Sequence, residues 1–64
     1  MKNRAALLCL QKGIKYVETY AQMLGVSTEK AKLILEEKVI LSEEEIQRNC
    51  EIFGVSMEYF LCLV

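Results

Sequence analysis

The residues best suited to chemistry lie on one side of a predicted helix that begins near Thr28. With 3.6 residues per turn, Ala31, Ile34 and Leu35 share the opposite, apolar side of the segment 28–37. The outward side combines a hydroxyl, carboxylates, an ammonium group and an apolar chain, carried by Thr28, Glu29, Lys32, Leu33 and Glu36. Such a mixture can make hydrogen bonds and apolar contacts with a partner. The segment is therefore a candidate recognition surface.

The residues before this helix predict how it is held. Leu24 ends an apolar stripe, Gly25 can adopt the left-handed conformation beyond a helix end, and Ser27 can cap the next helix. Ala21, one turn before the glycine, is small enough to let the second helix cross closely over the first. Helix, short turn and helix together indicate a helix-turn-helix over residues 20–34, and in that unit the second helix can read DNA.

The remaining pattern predicts an all-α fold of five short helices in a chain of 64 residues. We expect helices over about 2–11, 16–24 and 28–37, from Ser42 to just before Gly54, and over about 57–63. Ser42 followed by Glu45 is a capping box. Asn49 interrupts the apolar stripe of the fourth helix and must find a hydrogen-bond partner. Without linkers or strand signals, residues 1–64 are expected to form a single domain.

Apolar side chains outnumber what so small a core is expected to hide, because hydrophobic residues make up 53% of the chain. Self-association as a homodimer is therefore expected. Two apolar segments are the candidates for the dimer or partner interface, and they supply Val39, Ile40, Leu41, Tyr59, Phe60 and Leu63. On the first helix, Leu7 and Leu10 fall outside the narrow apolar stripe, so they either extend the core or lie against a neighbour.

Charge divides the chain into a basic and an acidic half, although the formal net charge is only −1. Residues 1–35 carry six basic and two acidic side chains, whereas residues 36–64 carry two basic side chains and seven glutamates. The basic half contains the helix-turn-helix. A dipolar molecule of this kind can still dock on phosphates, despite the slight overall negative charge.

Several other kinds of site are not expected. The chain has no histidine, no C-x-x-C spacing and no glycine-rich phosphate loop, so we expect no enzyme, metal, cofactor or small-molecule substrate. Cys9, Cys50 and Cys62 are expected to be buried free thiols. No secretory signal or span-length apolar run is present, which favours a cytoplasmic protein that does not enter membranes.

Further residues fit a known pattern over most of the chain. They are Ala21, Leu24-Gly25-Val26-Ser27, Ile34, Ser42, Phe53-Gly54-Val55-Ser56 and Tyr59-Phe60-Leu61, with Asn3-Arg4 and Lys12-Gly13 near the start. Together they resemble the Cro/C1-type (XRE-like) helix-turn-helix domains of phage repressors and small bacterial regulators. The resemblance implies a lambda-repressor-like fold. It runs without a gap from Tyr20 to Leu61, and one extra residue separates Gly13 from the second helix.

The chain departs from this family pattern at several positions. Val17 stands where many members carry a glutamine that binds a phosphate, and Glu37 stands where a glycine usually ends the recognition helix. Leu41 replaces a usual proline, and Asn49 replaces an aliphatic core residue. Two of these positions, Glu37 and Leu41, lie at or just beyond the end of the third helix, where function is expected.

The resemblance implies a small transcriptional regulator that binds double-stranded DNA as a homodimer. Base reading would then fall to Thr28, Glu29, Lys32 and Leu33, and phosphate contacts to Arg4, Lys15, Lys30 and Lys38. A plainer interpretation of the lysines is a solvated helix face with pairs such as Glu29–Lys32 and Lys32–Glu36.

A second hypothesis keeps the fold and replaces DNA by a protein partner. A module of this kind, such as a phage or mobile-element inhibitor of a host protein, would bind through one of three apolar regions. These are Leu33, the segment 39–41 and the segment 59–64. Exposed apolar residues on a would-be DNA face favour it.

Overall fold

Five helices and no strands make up the computed structural model, which describes residues 1–64. The helices are α1 (Ala5–Lys12), α2 (Val17–Leu24), α3 (Thr28–Leu35), α4 (Glu43–Phe53) and α5 (Met57–Phe60). The expected all-α fold of five short helices is confirmed. The longest dimension of the molecule is 28 Å, so every helix lies close to the single core.

Three helix ends differ from the sequence prediction because local polar contacts or positive φ angles end the helix. Helix α1 begins at Ala5 rather than Lys2, since the Asn3 side chain accepts a hydrogen bond from the Ala5 N–H (2.8 Å). Helix α3 ends at Leu35, and Glu37 then adopts a φ of 60°. Helix α5 ends at Phe60 rather than Leu63, and Cys62 adopts a φ of 62°. Left-handed backbone at a residue other than glycine is uncommon.

The turn between α2 and α3 has the capping chemistry that the sequence predicted. Gly25 has a φ of 73°, in the left-handed region, and the Ser27 hydroxyl accepts a hydrogen bond from the Lys30 N–H (3.1 Å). Arg48 of α4 donates to the last carbonyl of α2, at Leu24 (2.9 Å). Carbonyls at a helix end have no partner within the helix. Arg48 therefore ties α4 to the turn as well as satisfying the end of α2.

The core is formed where all five helices meet. Its buried apolar side chains are Ala5, Leu8, Cys9, Tyr20, Ala21, Leu24, Ala31, Ile34, Leu41, Ile46 and Phe60. The small residues Ala21 and Ala31 are 3% and 0% exposed, which allows α2 and α3 to pack closely.

Two side chains assigned to an interface by the sequence lie in this core instead. Phe60 is 0% exposed and Leu41 is 4% exposed, so neither can contact a partner, and that prediction was wrong for both. The physical reason is that the apolar segments containing them fold back over α1 to α4 and bury one side. In a chain this small, large side chains near the end of the sequence are needed to complete the core.

A buried polar pair joins α2 to α4 inside the apolar core. Tyr20 and Asn49 are both 0% exposed, and the Tyr20 hydroxyl donates a hydrogen bond to Asn49 Oδ1. Asn49 Nδ2 donates in turn to the Glu45 carbonyl at 2.8 Å, so the expected partner of Asn49 is found. Burial raises the pKa of Tyr20, and the nearby Cys9 thiol adds to that rise. The Tyr20 hydroxyl therefore stays protonated and remains a donor at neutral pH.

We expect the Tyr20–Asn49 hydrogen bond to contribute to stability only while both partners are present. Tyr20→Phe and Asn49→Leu should each lower the free energy of unfolding by about 1–3 kcal/mol, because each leaves one buried polar group unpaired. The double variant removes both polar groups and should lose less than the sum of the two single losses. Urea unfolding followed by circular dichroism measures all three.

Tyr16→Phe is the matched control for this cycle. Tyr16 is 69% exposed, so losing its hydroxyl should change the free energy of unfolding by less than about 0.5 kcal/mol. Additive losses in the double variant would show that the two side chains act independently.

Candidate functional surface around the third helix

Helix α3 presents its polar side to solvent because its apolar side is sealed against the core. Ala31 and Ile34 are 0% and 1% exposed. The side chains at the opposite surface are Thr28, Glu29, Lys32, Leu33 and Glu36, all of them exposed. We call these five residues the α3 face. The structure thus brings together the four predicted base-reading residues on a single surface.

The orientation of the α3 face follows from the turn that precedes it. Val26 is half-buried against the core, while the Val26 N–H donates to the Ala21 carbonyl at 3.1 Å. The Ser27 cap then starts α3 directly. These contacts leave α3 little freedom to rotate relative to α2. A partner would therefore meet a preformed arrangement of the α3 face, which lowers the entropic cost of binding.

Arg4, to which the sequence assigned a phosphate contact, makes several contacts within the protein. Its guanidinium donates to the carbonyls of Tyr59 and Val64, the second at 2.8 Å. It also lies 4.2 Å from the centre of the Tyr59 ring, a cation–π contact. These contacts form because the end of the chain folds back on Arg4, and a phosphate would have to compete with them. Arg4 instead fixes the segment after α5.

The four other cations near α3 differ in how free they are. Lys30 forms an ion pair with Glu45 of α4 at 3.2 Å, and Lys38 forms a longer one with Glu36 at 3.7 Å. Lys15 and Lys32 are exposed and have no ion pair. The expected pairs Glu29–Lys32 and Lys32–Glu36 do not form. Lys32 is thus the one unpaired cation on the α3 face.

The first turn of α4 places carboxylates beside α3. The Lys30–Glu45 ion pair links the two helices, and Glu44 lies 3.3 Å from Arg48. In the capping box, the Ser42 N–H donates to Glu45 Oε1 at 2.8 Å. This bond, followed by the Lys30 ammonium group, holds the pKa of Glu45 below its ordinary value of 4.5, although burial acts in the opposite direction. The surroundings of the α3 face are therefore more acidic than the basic half of the sequence suggested.

The predicted interface residues separate into exposed and enclosed side chains. Ile40 is 80% exposed and Leu63 is 69% exposed, so both can contact a partner. Val39 is half-buried, and Tyr59 is half-buried beneath Arg4. With Phe60 and Leu41 in the core, only Ile40 and Leu63 remain as fully open apolar contacts of that set.

An apolar groove between α1 and α2 is the one feature that sequence reasoning did not assign to a site. It has a volume of about 560 Å³ and is lined mainly by Cys9, Leu10, Ile14, Tyr16, Val17 and Leu35. Leu10 and Tyr16 are 76% and 69% exposed. The available signal was the position of Leu10 outside the narrow stripe of α1. That position placed Leu10 against a neighbour or in the core, without showing that a groove lay beside it.

The three cysteines occupy different environments. Cys9 is buried, and burial raises its pKa to about 11. Cys50 and Cys62 are only half-buried, so the expectation of burial holds fully for Cys9 alone. Burial and the nearby Glu58 carboxylate raise the pKa of Cys50. The structure does not bring three or more metal-ligating side chains together.

No protein-family model, curated protein or solved structure matches the chain. None of the five helices combines the length and apolar character that crossing a bilayer requires.

Lowering the pH is expected to remove the stabilisation that ionised Glu45 provides. Because its pKa in the folded state lies below the unfolded value of 4.5, this contribution is present above that value. It is lost as the pH falls through the folded-state pKa. Glu45→Gln keeps an oxygen that can accept from Ser42 but cannot ionise.

Urea unfolding of both proteins tests this expectation. The wild type should be the more stable at about pH 7, and the difference should shrink at about pH 3. A difference that stays constant between the two pH values would contradict the role given to the carboxylate.

Proposed function

We propose that the protein is a small DNA-binding regulator of the Cro/C1-like helix-turn-helix type, with α3 as its reading helix. One observation carries this proposal. A buried apolar side and a capped three-residue turn hold α3 so that Thr28, Glu29, Lys32 and Leu33 all face outward, and Lys32 has no intramolecular ion pair. A helix held in this way over its predecessor is the arrangement that enters the major groove.

The four side chains offer different base contacts. The Thr28 hydroxyl can donate or accept, and Glu29 can accept from the amino group of cytosine. Lys32 can donate to guanine, whereas Leu33 can pack on the methyl group of thymine. A mixed set of this kind suits a defined short sequence better than general affinity for DNA.

Phosphate contacts are expected to be few. Lys15 is free, whereas Lys30 and Lys38 are each paired with a carboxylate. An approaching phosphate would have to compete with that carboxylate for the lysine. The number of neutralised phosphates sets how steeply affinity falls with salt. One protomer alone should therefore bind weakly, and a dimer is needed to add contacts. Two α3 helices spaced about 34 Å apart would meet successive turns of one groove, a spacing that two copies of this size can span.

The experiment that tests this proposal is a titration of a mixed-sequence duplex at about 50 mM and about 200 mM salt. The wild type should bind at the lower concentration and weaken at the higher one. Lys32→Gln removes the cation of the α3 face that can donate to guanine, so it should lower affinity and relax the preference for guanine at the contacted position. Glu29→Ala should instead change the preference among sequences selected from a random pool.

Lys12→Gln is the matched control. Lys12 is exposed on α1 and lies outside the α3 face, so the same loss of charge should leave binding nearly unchanged. Equal losses with Lys12→Gln and Lys32→Gln would mean that binding is unspecific attraction to the basic half. Absence of binding even at the lower salt concentration would refute the DNA proposal.

A second candidate function is binding of a protein partner through the same α3 face. The observation that favours it is acidity combined with exposed apolar surface. Glu29 and Glu36 lie on the face, and Glu45 lies beside Lys30, whereas Leu33 and Met23 are 39% and 38% exposed. Carboxylates repel phosphates but suit a basic rim around an apolar pocket. In this case Leu33→Gln should abolish binding to the partner, while Lys32→Gln should have little effect.

A further inference from the structure

We propose that the groove between α1 and α2 is a docking site for a second copy of this chain, and that the side chain inserted into it is Ile40. This inference does not depend on the proposed function of the α3 face. It is drawn from the shape and exposure of the groove, from the presentation of Ile40 and from the charges around each.

The groove offers apolar surface that the protomer leaves open. Leu10 and Tyr16 are among the most exposed large apolar residues, at 76% and 69%, and both line a space of about 560 Å³. Ile14, Val17 and Leu35 continue the apolar lining inward. Keeping such side chains in water is unfavourable, so an apolar occupant would be stabilised there.

Ile40 is the most exposed large apolar side chain, at 80%, and it does not line the groove of its own protomer. Val39 packs against the core on one side of it and Leu41 is buried on the other, which leaves Ile40 pointing outward. The preceding backbone is held by hydrogen bonds from the Lys38 N–H to the Leu33 carbonyl (2.9 Å) and from the Glu37 N–H to the Ile34 carbonyl (3.0 Å). Ile40 is thus a projection held in place before any partner binds.

The charges around the two features are opposite in sign. No acidic residue occurs before Glu18, and Lys15, which lines the groove, has no ion pair. The residues flanking Ile40 in sequence are mostly acidic, namely Glu36, Glu37, Glu43 and Glu44. The cations beside them are Lys38 and the Met1 ammonium group, which donates to the Glu37 and Val39 carbonyls. Glu36, next to Leu35 of the groove, is paired with Lys38 at 3.7 Å. Electrostatic complementarity of this kind selects a second copy of the chain as the occupant.

Two single variants and their mixture test this arrangement. Leu10→Gln alters the groove and leaves Ile40 intact, whereas Ile40→Gln does the reverse. Sedimentation velocity should show the wild type dimerising or forming larger assemblies, with each variant associating at least about ten-fold more weakly. An equimolar mixture of the two variants should regain association, because Ile40 of the first variant can enter the unaltered groove of the second.

Leu63→Gln is the matched control, since Leu63 is 69% exposed and lies outside both features. It should associate as strongly as the wild type. Circular dichroism and urea unfolding verify that each variant folds, as expected for changes at exposed positions.

Several results would overturn the proposal. These are a monomeric wild type at all concentrations, undiminished association of either variant alone, and failure of the mixture to regain association. All measurements are made without DNA, so a failure here rules out this contact between copies without testing the base contacts of α3, and a failure to bind DNA leaves this result standing.

Discussion

One polar contact in an apolar core constrains how α2 and α4 are placed. The hydroxyl of Tyr20 can reach Asn49 only if α2 and α4 lie at one distance and one rotation, because neither buried group can turn to water instead. Apolar packing alone would tolerate neighbouring arrangements at little cost. The pair therefore specifies the position of α2, and α2 carries the turn and α3 with it.

The surface of α3 owes its character to a second set of contacts, which come from α4. Arg48 reaches the end of α2, and Glu45 reaches Lys30. Both contacts stabilise the turn, yet the second also brings an acidic group of α4 next to the helix proposed to read DNA. The same arrangement that makes α3 rigid thus reduces its attraction for phosphates. The α3 face therefore has features that suit DNA and features that suit a protein partner. Lys32, the only unpaired cation on it, is the residue that most favours DNA.

Much of the fold was accessible from local sequence signals, and less of the functional surface was. Ser27, Ser42, Gly25 and Gly54 act on the neighbouring backbone within one turn, so the starts of α3 and α4 and the ends of α2 and α4 were predictable. The outward position of the α3 face followed from its spacing for the same reason. Whether a charged side chain is free to bind a partner cannot be predicted from local signals, because it depends on side chains distant in sequence. Arg4 was assigned to phosphate but binds carbonyls 55 and 60 residues away.

By itself, the sequence determined the secondary structure, the apolar sides of the helices and the need of Asn49 for a partner, because these depend on periodicity and on the chemistry of single residues. The tertiary structure alone decided that Tyr20 is that partner and that Leu41 and Phe60 complete the core. It also decided that Leu10 and Tyr16 border an open groove while Ile40 stands out from the surface. The physical reason is that burial and pairing are properties of the assembled chain, in which segments far apart in sequence compete for a core too small to enclose every apolar side chain.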